Sequence, residues 1–340
     1  MKKRYIFLTL ISLITSSLSF AVKEESLKEE FSTKIKSFYS TGISKFYPSV
    51  EGKSAHYRIF KRGFRNVLLV LPGRTEPSTK YSEVIYDLRE LPYDFILIDP
   101  IGQGLSNRLL EDKQKGYIEK YKNYREDLHT IFQSEIENIY DNAAILAHSM
   151  GGAISIHFAE SYPHLIKGMV LSSPMMELKT NNLPEGVTLW TMGALRTLGK
   201  KKDYIPGGGR FESPIPFSEN RVTQSKERYW MARTIDEESP DFYMGSATVN
   251  WVFQSIKMSR KIYKEREKLH GMPILMFQAG KDEFSKPKRQ KLFCSTNPTC
   301  EFIYIPMAKH EMFQETDSIR DIVMTKANIF LKSLVTKEKD

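Results

Sequence analysis

Ala147-His148-Ser149-Met150-Gly151-Gly152 is the stretch from which the rest of the chain is read. An apolar run, residues 143–147, leads into it, and a small-residue helical stretch, residues 152–161, follows at once. A strand that turns directly into a helix must bend sharply, and only small neighbours let the two backbones pass. A serine at the apex then projects its hydroxyl from a strained backbone, the arrangement of a nucleophile elbow, Gly-x-Ser-x-Gly. Ala147 stands where that pattern has its first Gly, and is still small. A glycine-rich helix start that only packs tightly is the bland alternative.

Outward from this point the pattern alternates. Short apolar runs at 67–71, 95–98, 143–147, 169–171, 274–277 and 302–305 read as buried strands. Amphipathic stretches at 79–91, 117–139 and 319–334 read as helices, and a charged amphipathic helix is expected over 23–45. Continuously apolar strands alternating with helices predict a mostly parallel sheet covered on both faces. Right-handed crossovers then align the strand C-termini along one rim, where ligands bind. Gly73, Asp99, Ser149, Asp282 and His310 all fall just after strands. Between about 175 and 270 the alternation stops. Pro184, Gly207-Gly208-Gly209, Pro214 and Pro216 punctuate helical pieces there, which suggests a cap over the rim. The glycine run follows no strand and lacks a Lys-Ser/Thr, so it reads as a turn and not as a phosphate loop. The expected division is core 22–174, cap 175–270 and core 271–340.

A serine hydroxyl is a poor nucleophile until a base takes its proton. With an elbow of this kind the chain order is serine, acid, histidine. His310 follows the strand at 302–305 and is the expected base. His129 and His157 fall in helix bodies, His148 lies inside the elbow, and His270 precedes a strand. The acid should follow the strand at 274–277, where Asp282 is the first choice and Glu283 the second. An oxyanion needs two fixed N–H donors. Met150 N–H, directly after the nucleophile, and Arg74 N–H, after the turn at Gly73, are the candidates. The Arg74 side chain could also meet a substrate phosphate, with a plain surface arginine as the alternative. These parts together predict an α/β-hydrolase fold carrying a serine hydrolase, which requires neither a metal nor an organic cofactor.

Composition bounds the rest. A hydrophobic fraction of 41% supports a genuine core and excludes a disordered polymer. The formal charge of +9 suits an anionic membrane surface or an anionic substrate, against a merely solvated basic surface. The basic residues are spread along the chain and no nucleic-acid module is evident, so nucleic acid is not an expected partner. Lys2, Lys3 and Arg4 precede a short apolar run, and Ser19-Phe20-Ala21 offers small residues for cleavage after Ala21. Residues 1–21 are therefore read as a signal peptide for export to the periplasm or beyond, with an uncleaved inner-membrane anchor as the alternative. Cys294 and Cys300 are either a disulfide closing a short loop or two free thiols.

Several segments resemble the bacterial lysophospholipase L2 group, relatives of monoacylglycerol lipases. They are Leu71-Pro72-Gly73-Arg74-Thr75-Glu76, Lys80-Tyr81-Ser82-Glu83-Val84-Ile85-Tyr86-Asp87-Leu88, Asp99-Pro100-Ile101-Gly102-Gln103-Gly104-Leu105-Ser106 and the elbow itself. Ser173-Pro174-Met175 and Val222-Thr223-Gln224-Ser225-Lys226-Glu227-Arg228-Tyr229 are also similar. The resemblance implies hydrolysis of the single acyl ester of a lysophospholipid, with the cap forming the acyl pocket and Ser149, His310 and an acid near Asp282 as the triad. A monoacylglycerol lipase or general carboxylesterase is the alternative, and a non-catalytic lipid-binding protein the alternative of another class. Pro100-Ile101 departs from the group's usual His-Arg. The export signal departs from members that lack one, so location is not carried over.

Overall fold

The computed structural model describes residues 20–180, 183–212, 215–237, 239 and 242–336. The proposed signal up to residue 19 lies outside them. Among the described residues eight strands form one sheet: β1 (Ile43–Pro48), β2 (Ser54–Phe60), β3 (Asn66–Leu71), β4 (Asp94–Asp99), β5 (Asn142–His148), β6 (Gly168–Ser172), β7 (Ile274–Ala279) and β8 (Cys300–Ile305). Their order is β1-β2-β4-β3-β5-β6-β7-β8. β1 and β2 are antiparallel, as are β2 and β4; every pairing from β4 to β8 is parallel. The six apolar runs are thus the parallel strands, and two antiparallel strands precede them.

Side chains alternate across the sheet. Leu69, Ile96 and Ile145 join one apolar cluster, and Leu68, Val70, Leu97 and Leu146 join another on the opposite face. The first face is covered by α4 (Lys122–Ile131) and α5 (Ser149–Ser161), and the second by α3 (Ser82–Asp87) and α10 (Asp317–Thr336). α9 (Pro287–Ser295) links β7 to β8. Cys294, at its end, is disulfide-bonded to Cys300 at the start of β8, with Cα atoms 5.3 Å apart.

Two expected helices are shorter than their patterns. The helix expected over 23–45 is α1 (Glu24–Glu30), a wide π-helical turn (Phe31–Ile35) and α2 (Lys36–Ser40), after which the chain becomes β1. It breaks where Gly42 closes on the Phe60 ring, which a Cβ would approach to 2.6 Å. The helix expected over 117–139 begins only at Lys122 and ends in a π-helical turn, Phe132–Ile136. Its first residues are held elsewhere: the Asn250 side chain donates to the carbonyls of Ile118 and Glu119, and Thr248 N–H to that of Gly116 just before them.

Among the described residues, the segment between β6 and β7 carries three α-helices: α6 (Glu185–Thr197), α7 (Lys226–Glu237) and α8 (Val249–Glu265). Trp251, Met258 and Ile262 of α8 belong to the same apolar cluster as Ile154 of α5, so this insertion is rooted in the core.

Near the far end of α5, Glu160 is buried with both carboxylate oxygens lacking a hydrogen-bond donor among the described residues. Burial, reinforced by Glu265, pushes its carboxyl up from 4.5 to about 9. The folded chain therefore holds a proton that the unfolded chain releases above pH 4.5, and stability from this group is lost as pH rises towards 9. Glu160→Gln, a neutral isostere, should stabilise the fold at pH 8 by on the order of 2–4 kcal/mol and change little at pH 4. Denaturant titrations at the two pH values check this; equal stabilities of mutant and wild type at pH 8 would contradict it.

Candidate active site

β5 ends at His148 and α5 begins at Ser149, whose φ is +47°. A non-glycine residue in that region costs of order 1–3 kcal/mol and persists only where its surroundings enforce it. Here the enforcement is close packing. A Cβ on Gly151 would lie 2.3 Å from the Leu71 carbonyl oxygen and 2.6 Å from that of Pro72. Met175 N–H donates to the Ser149 carbonyl at 2.9 Å and ties the elbow to the segment after β6.

Ser149, His310 and Asp282 converge although 161 and 28 residues separate the bonded pairs. His310 Nε2 lies 2.9 Å from Ser149 Oγ, and His310 Nδ1 lies 2.8 Å from Asp282 Oδ2. An Nδ1–H donated to the carboxylate leaves Nε2 free to accept from the serine hydroxyl. Asp282 Oδ1 accepts the N–H groups of Phe284 at 2.8 Å and Ser285 at 3.0 Å. Burial alone would raise the Asp282 carboxyl, but His310 and those two N–H groups outweigh it and hold it below the usual carboxylate range. Glu283, the second choice for the acid, points elsewhere: it is half exposed and pairs with Arg221 at 2.6 Å.

The loop after β3 is fixed from two sides. Gly73 N–H donates to Glu76 Oε2 at 2.6 Å, and Gln103 Nε2 donates to the carbonyls of Gly73 and Glu76 at 2.8 and 2.9 Å. Arg74 N–H has no protein acceptor among the described residues, and Met150 N–H lies in the first turn of α5, where no intrahelical acceptor exists. Both donors are available to an oxyanion. The Arg74 side chain is no plain surface arginine, and it lines the cavity onto which the triad opens. Nη2 donates to the Gly245 carbonyl at 2.7 Å, the guanidinium sits over Trp251 at 5.2 Å, and the buried Nε has no hydrogen-bond partner among the described residues. Burial lowers the guanidinium to about 10.

Reading the sequence missed a buried charge network beside this loop. Lys80 Nζ lies 2.9 Å from Glu76 Oε1 and 2.7 Å from Glu311 Oε2, and Tyr81 O–H donates to Glu76 Oε2 at 2.8 Å. Burial works against Glu76, yet Lys80 holds it well below the carboxylate range, while Glu311 is raised by burial. Burial lowers His148 to about 4, so this imidazole stays neutral against His310. The network clamps the Gly73–Glu76 turn to the segment carrying His310. Glu76 and Lys80 at i, i+4 were visible in the sequence, but Glu311 joins them only through the fold. Asp99, also just after a strand, lies apart from the triad, bonded to His56 Nδ1 at 2.8 Å and to Ser78 N–H.

The triad opens on a cavity of about 350 Å³ lined by Ser149, His310, Met175, Leu178, Val222, Trp251, Lys179 and Arg221 among others. The insertion thus supplies much of its wall. No cluster of three or more His, Cys, Asp or Glu side chains suited to a metal occurs among the described residues.

The fold, with a serine at its elbow, defines an α/β serine hydrolase. Within that class the chain belongs to the family described as "Serine aminopeptidase, S33", whose model matches residues 63–317. It is 29% identical over 267 residues to the lysophospholipase L2 of Escherichia coli (strain K12), covering 76% of this chain and 78% of the relative. It is 30% identical over 269 residues to the probable lysophospholipase L2 of Haemophilus influenzae, covering 78% and 84%. Among solved structures it is similar to a soluble variant of monoglyceride lipase from Saccharomyces cerevisiae, with a TM-score of 0.66 at 18% identity over 86% of this chain and 96% of that one. A carboxyl esterase from Bacillus coagulans superposes with a TM-score of 0.67 at 18% identity, over 86% and 99%. The chain is a carboxylic ester hydrolase of this lysophospholipase-like family.

Proposed function

We propose that this enzyme is a lysophospholipase that cleaves the acyl ester of its substrate through an acyl-enzyme on Ser149. The observation that carries the reading is the unbroken hydrogen-bond chain Asp282–His310–Ser149 opening on a cavity with an apolar wall and a cationic mouth. His310 takes the Ser149 proton as Oγ attacks the ester carbonyl. The Arg74 and Met150 N–H groups stabilise the tetrahedral oxyanion. His310 returns the proton to the departing glycerol oxygen, and a water deprotonated by His310 then releases the fatty acid.

Arg221, Lys179 and Lys286 border the mouth, which continues outward from the triad cavity. Arg221 binds Glu283 through Nε alone, and its terminal Nη atoms have no acceptor among the described residues. They suit a phosphate, which a monoacylglycerol lacks. Arg221→Ala should lower kcat/KM on lysophosphatidylglycerol roughly 5–20-fold and leave monoacylglycerol turnover within about 2-fold. A lipid panel on wild type and variant decides this: faster turnover of monoacylglycerol than of any lysophospholipid would instead favour a monoacylglycerol lipase or general esterase.

We also propose export by residues 1–21 and peripheral contact with an anionic membrane. α6 and its flanks expose Leu183, Val187, Trp190 and Leu198, and Lys200-Lys201-Lys202 follow directly. Apolar side chains beside a basic cluster suit the boundary of an anionic bilayer. Weaker sedimentation with anionic vesicles on Trp190→Ser would support the contact, and unchanged sedimentation would oppose it.

A further inference from the structure

A second buried charge cluster lies away from the active site, where the chain enters the fold. Arg228 of α7 pairs with Glu83 and Asp317, both at 3.0 Å. Arg320 of α10 lies 3.3 Å from Glu83 and 2.6 Å from Asp87. Both guanidiniums are fully buried. Lys23 and Asp321 pair with each other beside the cluster, and the Glu24 and Asp317 backbone N–H groups each donate to the other residue's side-chain carboxylate. The two guanidiniums are ion-paired with the carboxylates of Glu83, Asp87 and Asp317, so these five groups are one positive charge short.

The shortfall sits at Asp87. Arg320 Nη1 lies 2.6 Å from Asp87 Oδ2 as an ion pair of poor hydrogen-bond angle, and no second donor reaches Oδ2 among the described residues. Burial pushes this carboxyl up to about 6 in spite of Arg320. The other oxygen, Oδ1, accepts from the backbone nitrogen of Val22 at 3.0 Å, while Arg228 Nη2 donates to the Val22 carbonyl at 2.9 Å. Val22 is the residue that follows the cleavage point offered by Ser19-Phe20-Ala21.

We propose that this cluster is a docking site for the mature amino terminus: the exported chain is cut after Ala21, and the new Val22 ammonium forms a buried ion pair with Asp87. In the cut, a signal peptidase hydrolyses the Ala21–Val22 peptide bond. Water supplies the hydroxyl that completes the Ala21 carboxyl group and the hydrogen that completes the Val22 amine. An amide offers Asp87 one donor and no charge, whereas an ammonium offers three donors and the missing positive charge. An α-amine titrates near pH 8 when free, and a neighbouring carboxylate favours its charged form further. Ala21 is itself buried, so its departure leaves room at the ammonium for a water on the remaining donor. Because Arg228 belongs to the insertion and Asp87 to the core, the docked terminus would join the two.

The test uses the full chain exported with its own leader and recovered from the periplasm. Intact mass should place the first residue at Val22. Acetic anhydride followed by peptide mapping should acylate the Val22 α-amine at least about 10-fold more slowly in the native protein than in the unfolded one. Inserting Gly-Ser after Ala21 keeps the Val22 amide but moves the ammonium away, and should lower the melting midpoint by about 3–8 °C. In an Asp87→Asn background the same insertion should change it by less than about 1 °C. Cleavage at another bond, equal acylation of native and unfolded chains, or an equal insertion effect in both backgrounds would overturn the proposal. Should Asp87→Asn fail to fold, the acylation rates and the insertion in the wild-type background decide it.

Discussion

Ser149→Ala should abolish measurable ester turnover, with a fall in kcat of ~10³-fold or more and a melting temperature within a few degrees of wild type. The side chain removed is one oxygen. Its hydrogen bond to His310 disappears with it, and the imidazole keeps its bond to Asp282. The strained φ of +47° is set by Gly151 against the Leu71 and Pro72 carbonyls, and alanine tolerates it no worse than serine does. The residual rate would come from the oxyanion donors and from binding, which the substitution leaves in place. Steady-state assays on a soluble short-chain ester, with circular dichroism melting on the same samples, separate loss of chemistry from loss of fold. A variant that keeps wild-type turnover would remove the serine mechanism.

Asp282→Asn should cost roughly 10³–10⁴-fold in kcat, against less than about 3-fold for Glu283→Gln. The two positions are adjacent, and both carry carboxylates. Their contacts separate them. Asp282 accepts His310 Nδ1–H on one oxygen and two backbone N–H groups on the other, so an amide there either turns its NH₂ towards Nδ1 or loses those backbone donors. The first outcome forces the wrong imidazole tautomer, in which Nε2 carries the proton and cannot take one from serine. Glu283 touches Arg221 at the mouth and has no contact with the imidazole. Comparable losses for the two variants, measured as kcat on one ester, would mean that the acid has been misassigned.

The parallel part of the sheet was legible because strands buried on both faces are written as unbroken apolar runs, as in Val67-Leu68-Leu69-Val70-Leu71. β1 and β2 were not. In β1 the exposed Phe46 lies next to the buried Tyr47, with Lys45 and Ser44 between the apolar positions, and an edge strand of that composition carries no apolar run to find. The start of the helix expected at Tyr117 was misread for a different reason. Its aromatic residues are buried, as a helical face would be, but under the insertion, whose Asn250 takes the Ile118 and Glu119 carbonyls a helix needs. Positions fixed by local geometry, Ser149 at the elbow and His310 after β8, could be found from order along the chain. The choice of Asp282 over Glu283, and the joining of Glu76, Lys80 and Glu311, depend on which way a side chain faces, and spacing does not carry that.

Activity-based labelling tests the central claim most directly. A fluorophosphonate probe reacts only with a serine whose proton is taken by a neighbouring base, so it reports the Ser149–His310 pair without reference to any substrate. Peptide mapping of the labelled wild-type protein should find one adduct, on Ser149, with labelling lost in Ser149→Ala and strongly slowed in His310→Ala. An adduct on another serine, or no adduct on folded protein, would contradict the account, and the second result would leave a lipid-binding protein on a hydrolase fold.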